Sequence, residues 1–312
     1  MMKYIVKRIL GLIPILFIVS IVVFLMVHMT GTDPAVAILG GAKTTPEILA
    51  NINEKYHFNE SLVNQYGYWI SDVIKGDFGT SYRLNEDVTT LIGQKLPITI
   101  QLILMSVGFG ILLSIPIGVL SAVKKNTMVD HILSFLSVIC MSAPVFLTGL
   151  LLMLIFSNKL GLLPTFGIGS NVMENFKYLL LPSLALGINM VAMNARTIRS
   201  SMINVMESNY VQTAIAKGMN RKTVIFKHAM KNAIVPFITI NGVQIASLIG
   251  GTSIIESTFN VGGMGSLVVT AVLNSDYTIV QGATIVIVAM ILCINLLVDV
   301  LCAMVDKRIQ LR

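Results

Sequence analysis

Residues 9–29 read ILGLIPILFIVSIVVFLMVHM, an unbroken apolar run in which His28 is the one titratable side chain. A helix needs about 20 mostly apolar residues to cross a bilayer, so this run is long enough to do so. Lys3, Lys7 and Arg8 precede it, as basic residues precede the apolar core of a secretory signal peptide. The run is too long for such a core and no small-x-small cleavage site follows it closely, which favours a retained membrane helix.

The rest of the chain repeats this pattern. Five further runs satisfy the same length requirement, at about 98–123, 132–157, 178–199, 233–255 and 279–304. Of the 312 residues, 55% are apolar and only 12% are charged, which is too little charge to cover a soluble domain of this size. The sequence therefore predicts an all-α polytopic membrane protein with six transmembrane helices.

The Lys and Arg residues indicate which side of the membrane each connecting segment faces. With the N-terminus inside, the inner segments carry fifteen of the 22 basic residues, and the outer segments carry eleven of the 15 acidic ones. Cytoplasmic segments carry an excess of Lys and Arg, so both termini are predicted to be cytoplasmic. The net charge of +7 then reflects topology and the lipid bilayer, and we expect no nucleic-acid partner. The predicted regions are an N-terminal helix (1–29), an extracytoplasmic loop or cap (30–97), a core of five helices (98–304) that includes a cytoplasmic loop (200–232), and a cytoplasmic tail (305–312).

The outer segment is too long for a turn and contains the single tryptophan, Trp69. Thr44-Thr45-Pro46-Glu47 reads as a helix start, with a Thr cap and Pro in the first turn. Ile48, Leu49 and Ile52 then recur at helical spacing. The segment is either an external cap or docking face over a pore, or a passive structured loop, and the residues leave both interpretations open.

The inner segment 196–231 is long, basic and patterned. Residues 210–218 read YVQTAIAKG, which predicts a short helix ending at Gly218. A second amphipathic piece is expected to follow, with one face made of Ile225, Phe226, Ala229, Met230 and Ala233. This segment could lie on the anionic leaflet, form a solvated linker or dock into a groove on a soluble partner. Small residues beside bulkier ones favour docking.

This segment resembles the cytoplasmic coupling loop of ABC importer permeases, the EAA loop. Its Glu-Ala-Ala…Gly pattern falls here on Gln212, Thr213, Ala214 and Gly218. The Glu is replaced, as in the peptide and nickel branch of the family. That branch continues with His-x-x-x-Asn-Ala-x-x-Pro, matched by the residues His228, Asn232, Ala233 and Pro236.

Further landmarks of the same branch follow in order along nearly the whole chain. They are Gly31–Ala35, Gly76–Tyr82, Leu96–Thr99, Leu160–Pro164, Ile249–Gly265, Asp276–Gln281 and Asn295–Asp299. The long first outer segment is similar to that of the B-type subunit. Gly262 and Lys307 stand where the family usually has Pro, which puts only the local geometry at these two positions in doubt.

The resemblance implies a type I ABC importer permease fold in a bacterial inner membrane. It implies a heterodimer with a second permease subunit of similar fold, two ATPase subunits beneath it and an extracytoplasmic substrate-binding protein. It also implies that the coupling residues are Tyr210, Gln212, Thr213, Ala214, Ala216, Lys217 and Gly218. The sequence has no Gly-x-x-x-x-Gly-Lys-Ser/Thr loop, so we expect ATP and Mg²⁺ on the partner ATPases and no cofactor or catalysis in this chain.

The family divides among dipeptide, oligopeptide, nickel and metallophore cargoes, so the resemblance implies that the cargo is nickel or a metal chelate, or else a short peptide. Three strings resemble the nickel type, at 33–36, 194–196 and 249–256. The three Cys and four His residues show no metal-ligand spacing, so a metal would have to pass as a chelate or transiently.

Polar residues inside apolar runs are costly in lipid and usually face the bundle interior or a water path. Asn241, Gln244 and Ser247 recur about three residues apart, and with Asn189 and Asn194 they are the predicted lining of the translocation pathway. The alternative is that these residues only join helices by hydrogen bonds.

Two rival function classes make different demands on the sequence. An ion-coupled secondary transporter needs carboxylates at mid-membrane, and only Asp299 comes near that position. A membrane-embedded enzyme needs a catalytic constellation beside the spans, and the sequence offers no convincing pair.

Overall fold

The computed structural model describes residues 2–29, 33–39, 45–81, 83–220 and 223–305. The helices up to the first long connection are α1 (Met2–His28), α2 (Pro34–Leu39), α3 (Pro46–Lys55) and α4 (Leu62–Lys75). A small antiparallel hairpin follows, formed by β1 (Thr80–Ser81) and β2 (Glu86–Asp87). The remaining helices are α5 (Val88–Val123), α6 (Met128–Ser142), α7 (Val145–Leu152), α8 (Val172–Met206), α9 (Asn209–Ala216), α10 (Met230–Phe259), α11 (Met264–Leu273) and α12 (Tyr277–Val305). The all-α prediction is confirmed.

The spans agree with the sequence except at the third. Five helices of the described chain are long and apolar enough to cross a membrane: Arg8–Met26, Val88–Val123, Val172–Met206, Pro236–Phe259 and Tyr277–Val300. The predicted span 132–157 is instead a pair, Met128–Ser142 and Val145–Lys159, bent by 110°. The described residues therefore hold five spans, or six if the bent pair crosses as one.

The bend lies at Ala143 and Pro144. Pro144 has no N–H to donate to a helix, and its ring disfavours helical backbone at the residue before it. Ala143 accordingly has extended backbone, with φ −72° and ψ 129°. The last part of the pair, Met153–Lys159, is a π-helical segment.

Contacts divide the chain into two compact units. One contains Met2–Ile100 and Gly262–Cys293, and the other contains Gln101–Val261 and the chain after Cys293.

In the unit of Met2–Ile100 and Gly262–Cys293, the predicted start of α3 is confirmed. Thr45 caps the helix, its Oγ1 accepting a hydrogen bond from the Ile48 N–H at 3.3 Å. A small apolar cluster joins α2 to α3 through buried Ala35, Leu39 and Ile52. The Gln281 Nε2 on α12 donates to the Val23 carbonyl of α1 at 3.0 Å, which ties these two long helices together.

In the unit of Gln101–Val261, α8 is the central element and contacts α6, α7 and α10. Gly118 of α5 allows a close approach to α8, because a Cβ there would lie 2.7 Å from the Ala195 carbonyl oxygen. In a bilayer no hydrophobic effect drives helices together, so they associate through close van der Waals packing. Small residues at helix crossings permit that packing. The surrounding buried cluster includes Ala122, Ile198 and Met202.

The segment between α9 and α10 differs from the expected separate amphipathic helix. Val224–Ala229 is a π-helical turn that runs directly into α10, so Asn232 and Pro236 lie inside that helix. Ile225 and Ala229 are buried with Ile198 and Met202 of α8. This apolar face therefore packs on its own chain. The expected positions of the Phe226 and Ala233 side chains fall outside the described part of the structure.

Candidate functional site

The first candidate site is the helix α9, which is predicted to face the cytoplasm and which two longer helices hold in place. Val211 is its buried anchor, only 1% exposed. The Gln212 Nε2 donates to the Met206 carbonyl at the end of α8, at 3.0 Å. The Asn232 Nδ2 on α10 donates to the Tyr210 hydroxyl at 3.2 Å. A displacement of α9 would therefore act on both α8 and α10.

The exposed side of α9 forms an open groove of about 390 Å³. It is lined by Met219 and by five of the seven predicted coupling residues: Tyr210, Thr213, Ala214, Lys217 and Gly218. Gln212 and Ala216 are also exposed, but they lie outside the groove. The structure thus brings most of the predicted coupling set together on one surface.

The second candidate site is a cluster of amides between α8 and α10. The Asn194 Nδ2 donates to the Asn241 Oδ1 at 2.9 Å, and the Asn241 Nδ2 donates to the Phe237 carbonyl at 2.7 Å. The Gln244 Nε2 donates to the Asn194 Oδ1 at 2.9 Å. Asn194 is fully buried, Asn241 is 6% exposed and Gln244 is half-buried.

The other two predicted pathway residues are not part of this cluster. The Ser247 hydroxyl donates to the Val243 carbonyl of its own helix at 3.2 Å, on an exposed face of α10. Asn189 is half-buried on α8, away from the three joined amides. Asn194 and Asn241 are buried and joined to each other, as expected if they only hold the two helices together by hydrogen bonds. Gln244 is the member of the cluster whose side chain is partly exposed. The pathway role of all five stays a prediction.

The amide cluster predicts that single and double substitutions differ in their effect on stability. Replacing Asn241 by Leu should cost about 1–3 kcal/mol of stability, because the buried Asn194 Nδ2 loses its acceptor while Gln244 still donates to the Asn194 Oδ1. Replacing both Asn194 and Asn241 by Leu should cost less than the sum of the two single changes, since neither buried amide is then left without the other, and only the half-buried Gln244 loses an acceptor. Thermal unfolding of the purified variants followed by circular dichroism measures both, and strictly additive losses would contradict the pairing.

The structure also shows an ion pair that the sequence analysis missed, between a buried carboxylate and a partly exposed guanidinium. The Arg199 Nε and Nη2 donate to the Asp130 Oδ1 and Oδ2 at 2.6 and 2.7 Å. The Ser121 hydroxyl and the Asn126 N–H also donate to this carboxylate, at 2.5 and 2.9 Å. Asp130 is 3% exposed. The pair therefore joins α5, α6 and α8 at the end of the bundle predicted to face the cytoplasm.

Models of known families match almost the whole chain. Residues 114–311 match the binding-protein-dependent transport system inner membrane component, and residues 1–103 match the N-terminal part of the same kind of membrane component. The chain belongs to this family. It is therefore a multi-pass inner-membrane permease subunit of an ABC importer, and not an enzyme.

Individual members of this permease family are similar over their full lengths. The dipeptide transport system permease protein DppB of Alkalihalophilus pseudofirmus is 34% identical, with 99% of this chain and 100% of that protein covered. The glutathione transport system permease protein GsiC of Escherichia coli K12 is 35% identical, with 99% of each chain covered.

A solved structure of another importer shares the permease fold. The inward-facing MetNI methionine ABC transporter matches with a TM-score of 0.59 at 15% identity, covering 69% of this chain and 96% of that one. At this level of identity the match supports the fold alone. Together with the helices described above, it places this permease among all-α polytopic membrane proteins.

Proposed function

We propose that this permease subunit forms half of a translocation pathway and receives the ATP-driven motion through the groove on α9. The observation that carries the proposal is the groove itself, built from exposed residues on a helix anchored to α8 and α10. The other half of the pathway is a second permease subunit of similar fold. Two ATPase subunits carry ATP and Mg²⁺, and an extracytoplasmic binding protein delivers the cargo.

The surface of α9 has the composition of a protein contact. Tyr210, Ile215 and Met219 are 51%, 46% and 36% exposed, although each is largely apolar. Aromatic residues and Met are enriched where proteins associate. The small Ala214 and Gly218 lie beside them and permit close approach. This arrangement supports docking over immersion in lipid, because the buried apolar anchor Val211 points into the protein.

The same two helices that anchor α9 also hold the amide cluster. A push on α9 reaches α8 through Gln212 and α10 through Tyr210. Asn194 and Asn241 bind α8 to α10, so the two helices would move as one body. Alternating access by rigid-body movement of helices around a fixed site is a common mechanism of transporters.

The cargo that we propose is a short peptide. The curated relatives compared above are named as dipeptide and glutathione permeases. Gln244 is partly open and its side-chain amide can pair with a peptide group, donating and accepting as a peptide bond does. The nickel or metal-chelate alternative rests only on the three short strings in the sequence.

Reconstitution tests this proposal. Proteoliposomes are prepared with this permease, its partner permease and the ATPases, and the binding protein is added outside. They should take up radiolabelled dialanine only when ATP is enclosed in the lumen, on the side of the ATPases. A Walker-A Lys→Ala variant of the ATPases is the control, and it should abolish uptake. Uptake of dialanine without the ATPases would instead indicate a secondary transporter, and uptake of nickel but not of dialanine would indicate the metal cargo.

A further inference from the structure

A cavity of about 150 Å³ lies within the unit of Met2–Ile100 and Gly262–Cys293. The end of α1, the turn after α3, the helix α4 and the start of α12 line it. Its walls are largely aromatic and include Phe24, Tyr56, Phe58, Tyr68, Trp69 and Phe78. The rings of Phe24 and Trp69 lie with centroids 5.6 Å apart. Nothing in the proposed transport mechanism uses this cavity.

The hydrogen bonds of Gln65 determine which ring nitrogen of His28, in the cavity wall, is the donor. The Gln65 Nε2 donates both of its hydrogens, to the Phe58 carbonyl at 3.2 Å and to the Glu60 carbonyl at 2.9 Å. The Gln65 Oε1 therefore faces the His28 Nε2, 3.1 Å away, and this ring nitrogen must donate. In the neutral ring the His28 Nδ1 is then an acceptor.

That acceptor is unsatisfied. The His28 Nδ1 is buried and has no hydrogen-bond partner among the described residues. Buried polar atoms in folded proteins are nearly always hydrogen-bonded, so such an atom in a cavity wall indicates a group that belongs in the cavity.

Thr278 supplies a second such group. Thr278 is only 4% exposed, and its Oγ1 also lacks a hydrogen-bond partner within the described chain. A Thr inside a helix can bond the carbonyl four residues earlier. Thr278 is the second residue of α12, so no helical carbonyl precedes it at that distance. Because Thr278 is one of the residues that line the cavity, its hydroxyl is available to a group bound there.

The charged residues of the wall favour a cation. Asp72 and Asp77 line the cavity, and Lys55 is the one Lys or Arg among its lining residues. Asp77 accepts from the Gly79 N–H at 2.8 Å, and Asp72 lies 3.4 Å from the Lys75 Nζ. Aromatic faces also attract cations through their ring quadrupoles.

We propose that this cavity is a binding site for a small organic ammonium ion. The ammonium donates to the His28 Nδ1 and the Thr278 Oγ1, and its apolar part packs against Phe24 and Trp69. The size fits, since an engineered cavity of about 150 Å³ accepts benzene. Its residues are distinct from those of the groove on α9 and of the amide cluster.

Trp69 makes the proposal directly measurable, because it is the only tryptophan of the chain. Benzylamine added to the purified full-length chain in detergent should change Trp69 fluorescence saturably. Toluene has the same ring without the ammonium and should bind at least tenfold more weakly, roughly the value of one lost hydrogen bond to a charged group. Phenylacetate, which reverses the charge, should not bind. This comparison needs no substitution.

A substitution then locates the ammonium. Thr278→Val keeps the shape and removes the hydroxyl, so it should weaken benzylamine about tenfold and leave toluene unchanged. Thr258→Val, on α10 outside the site, is the matched control and should change neither. Equal binding of benzylamine and toluene would mean an apolar cavity without ammonium recognition. The absence of any saturable change would mean that the cavity holds only water, and either result overturns the proposal.

Discussion

Arg199→Gln is expected to lower the free energy of unfolding by about 3–5 kcal/mol, because it leaves the Asp130 carboxylate buried without its counter-ion. Asp130 is 3% exposed, and Arg199 supplies two of its hydrogen bonds, at 2.6 and 2.7 Å. Gln is shorter and neutral, so it can replace neither the charge nor the paired geometry. Unfolding of the purified chain in detergent, followed by circular dichroism, measures the loss.

A second ion pair of the same unit is the matched control. Lys125 and Glu207 also connect the end of α5 to the end of α8, but their side chains are 39% and 60% exposed. Exposed pairs contribute about 0–1 kcal/mol, so Lys125→Gln should be close to wild type. The double variant Asp130→Asn, Arg199→Gln should be more stable than Arg199→Gln alone, because no buried charge remains. Equal losses for Arg199→Gln and Lys125→Gln would show that burial is not the cause.

The long helices were predictable because a bilayer restricts which backbone conformations a chain can adopt. Backbone groups in a bilayer must be satisfied within the segment, so an apolar run of sufficient length becomes a helix. Local signals also identified the start of α3, where Thr45 and Pro46 act within one turn. The bend before Val145 escaped the prediction because Pro144 sits in a run whose hydropathy does not change.

Contacts between helices were harder to predict. Asp130 and Arg199 are 69 positions apart, and the charge distribution indicated only that both lie near the cytoplasmic end. Asn241, Gln244 and Ser247 were expected on one stripe. Each step of three residues falls about 60° short of a full turn, so Ser247 points roughly 120° away from Asn241. The third member of the cluster is accordingly not Ser247 but Asn194 of α8.

The coupling prediction depends on Gly218, which ends α9 in a left-handed conformation with φ +85°. The Met219 N–H donates to the Ala214 carbonyl at 3.1 Å and the Gly218 N–H to the Ile215 carbonyl at 2.9 Å, as in a Schellman motif. A Cβ on Gly218 would meet no atom of the described residues within 4 Å. The cost of a substitution here is therefore conformational and not steric.

Gly218→Val should lower peptide uptake per ATP hydrolysed about tenfold in the reconstituted transporter. A β-branched residue resists the left-handed region by about 1–2 kcal/mol, so the turn would rearrange and move Ala214, Lys217 and the rest of the groove away from the ATPase. Asn tolerates this region, so Gly218→Asn is the control and should keep most of the coupling.

The ratio of peptide uptake to phosphate release distinguishes coupling from the other causes of a low rate. A variant that fails to assemble loses both activities, whereas one with a displaced groove continues to release phosphate without moving peptide. Gly218→Val should show the second pattern and Gly218→Asn neither. If Gly218→Val retained the wild-type ratio, the shape of this turn would be irrelevant to coupling. The docking surface would then have to lie elsewhere on the cytoplasmic side.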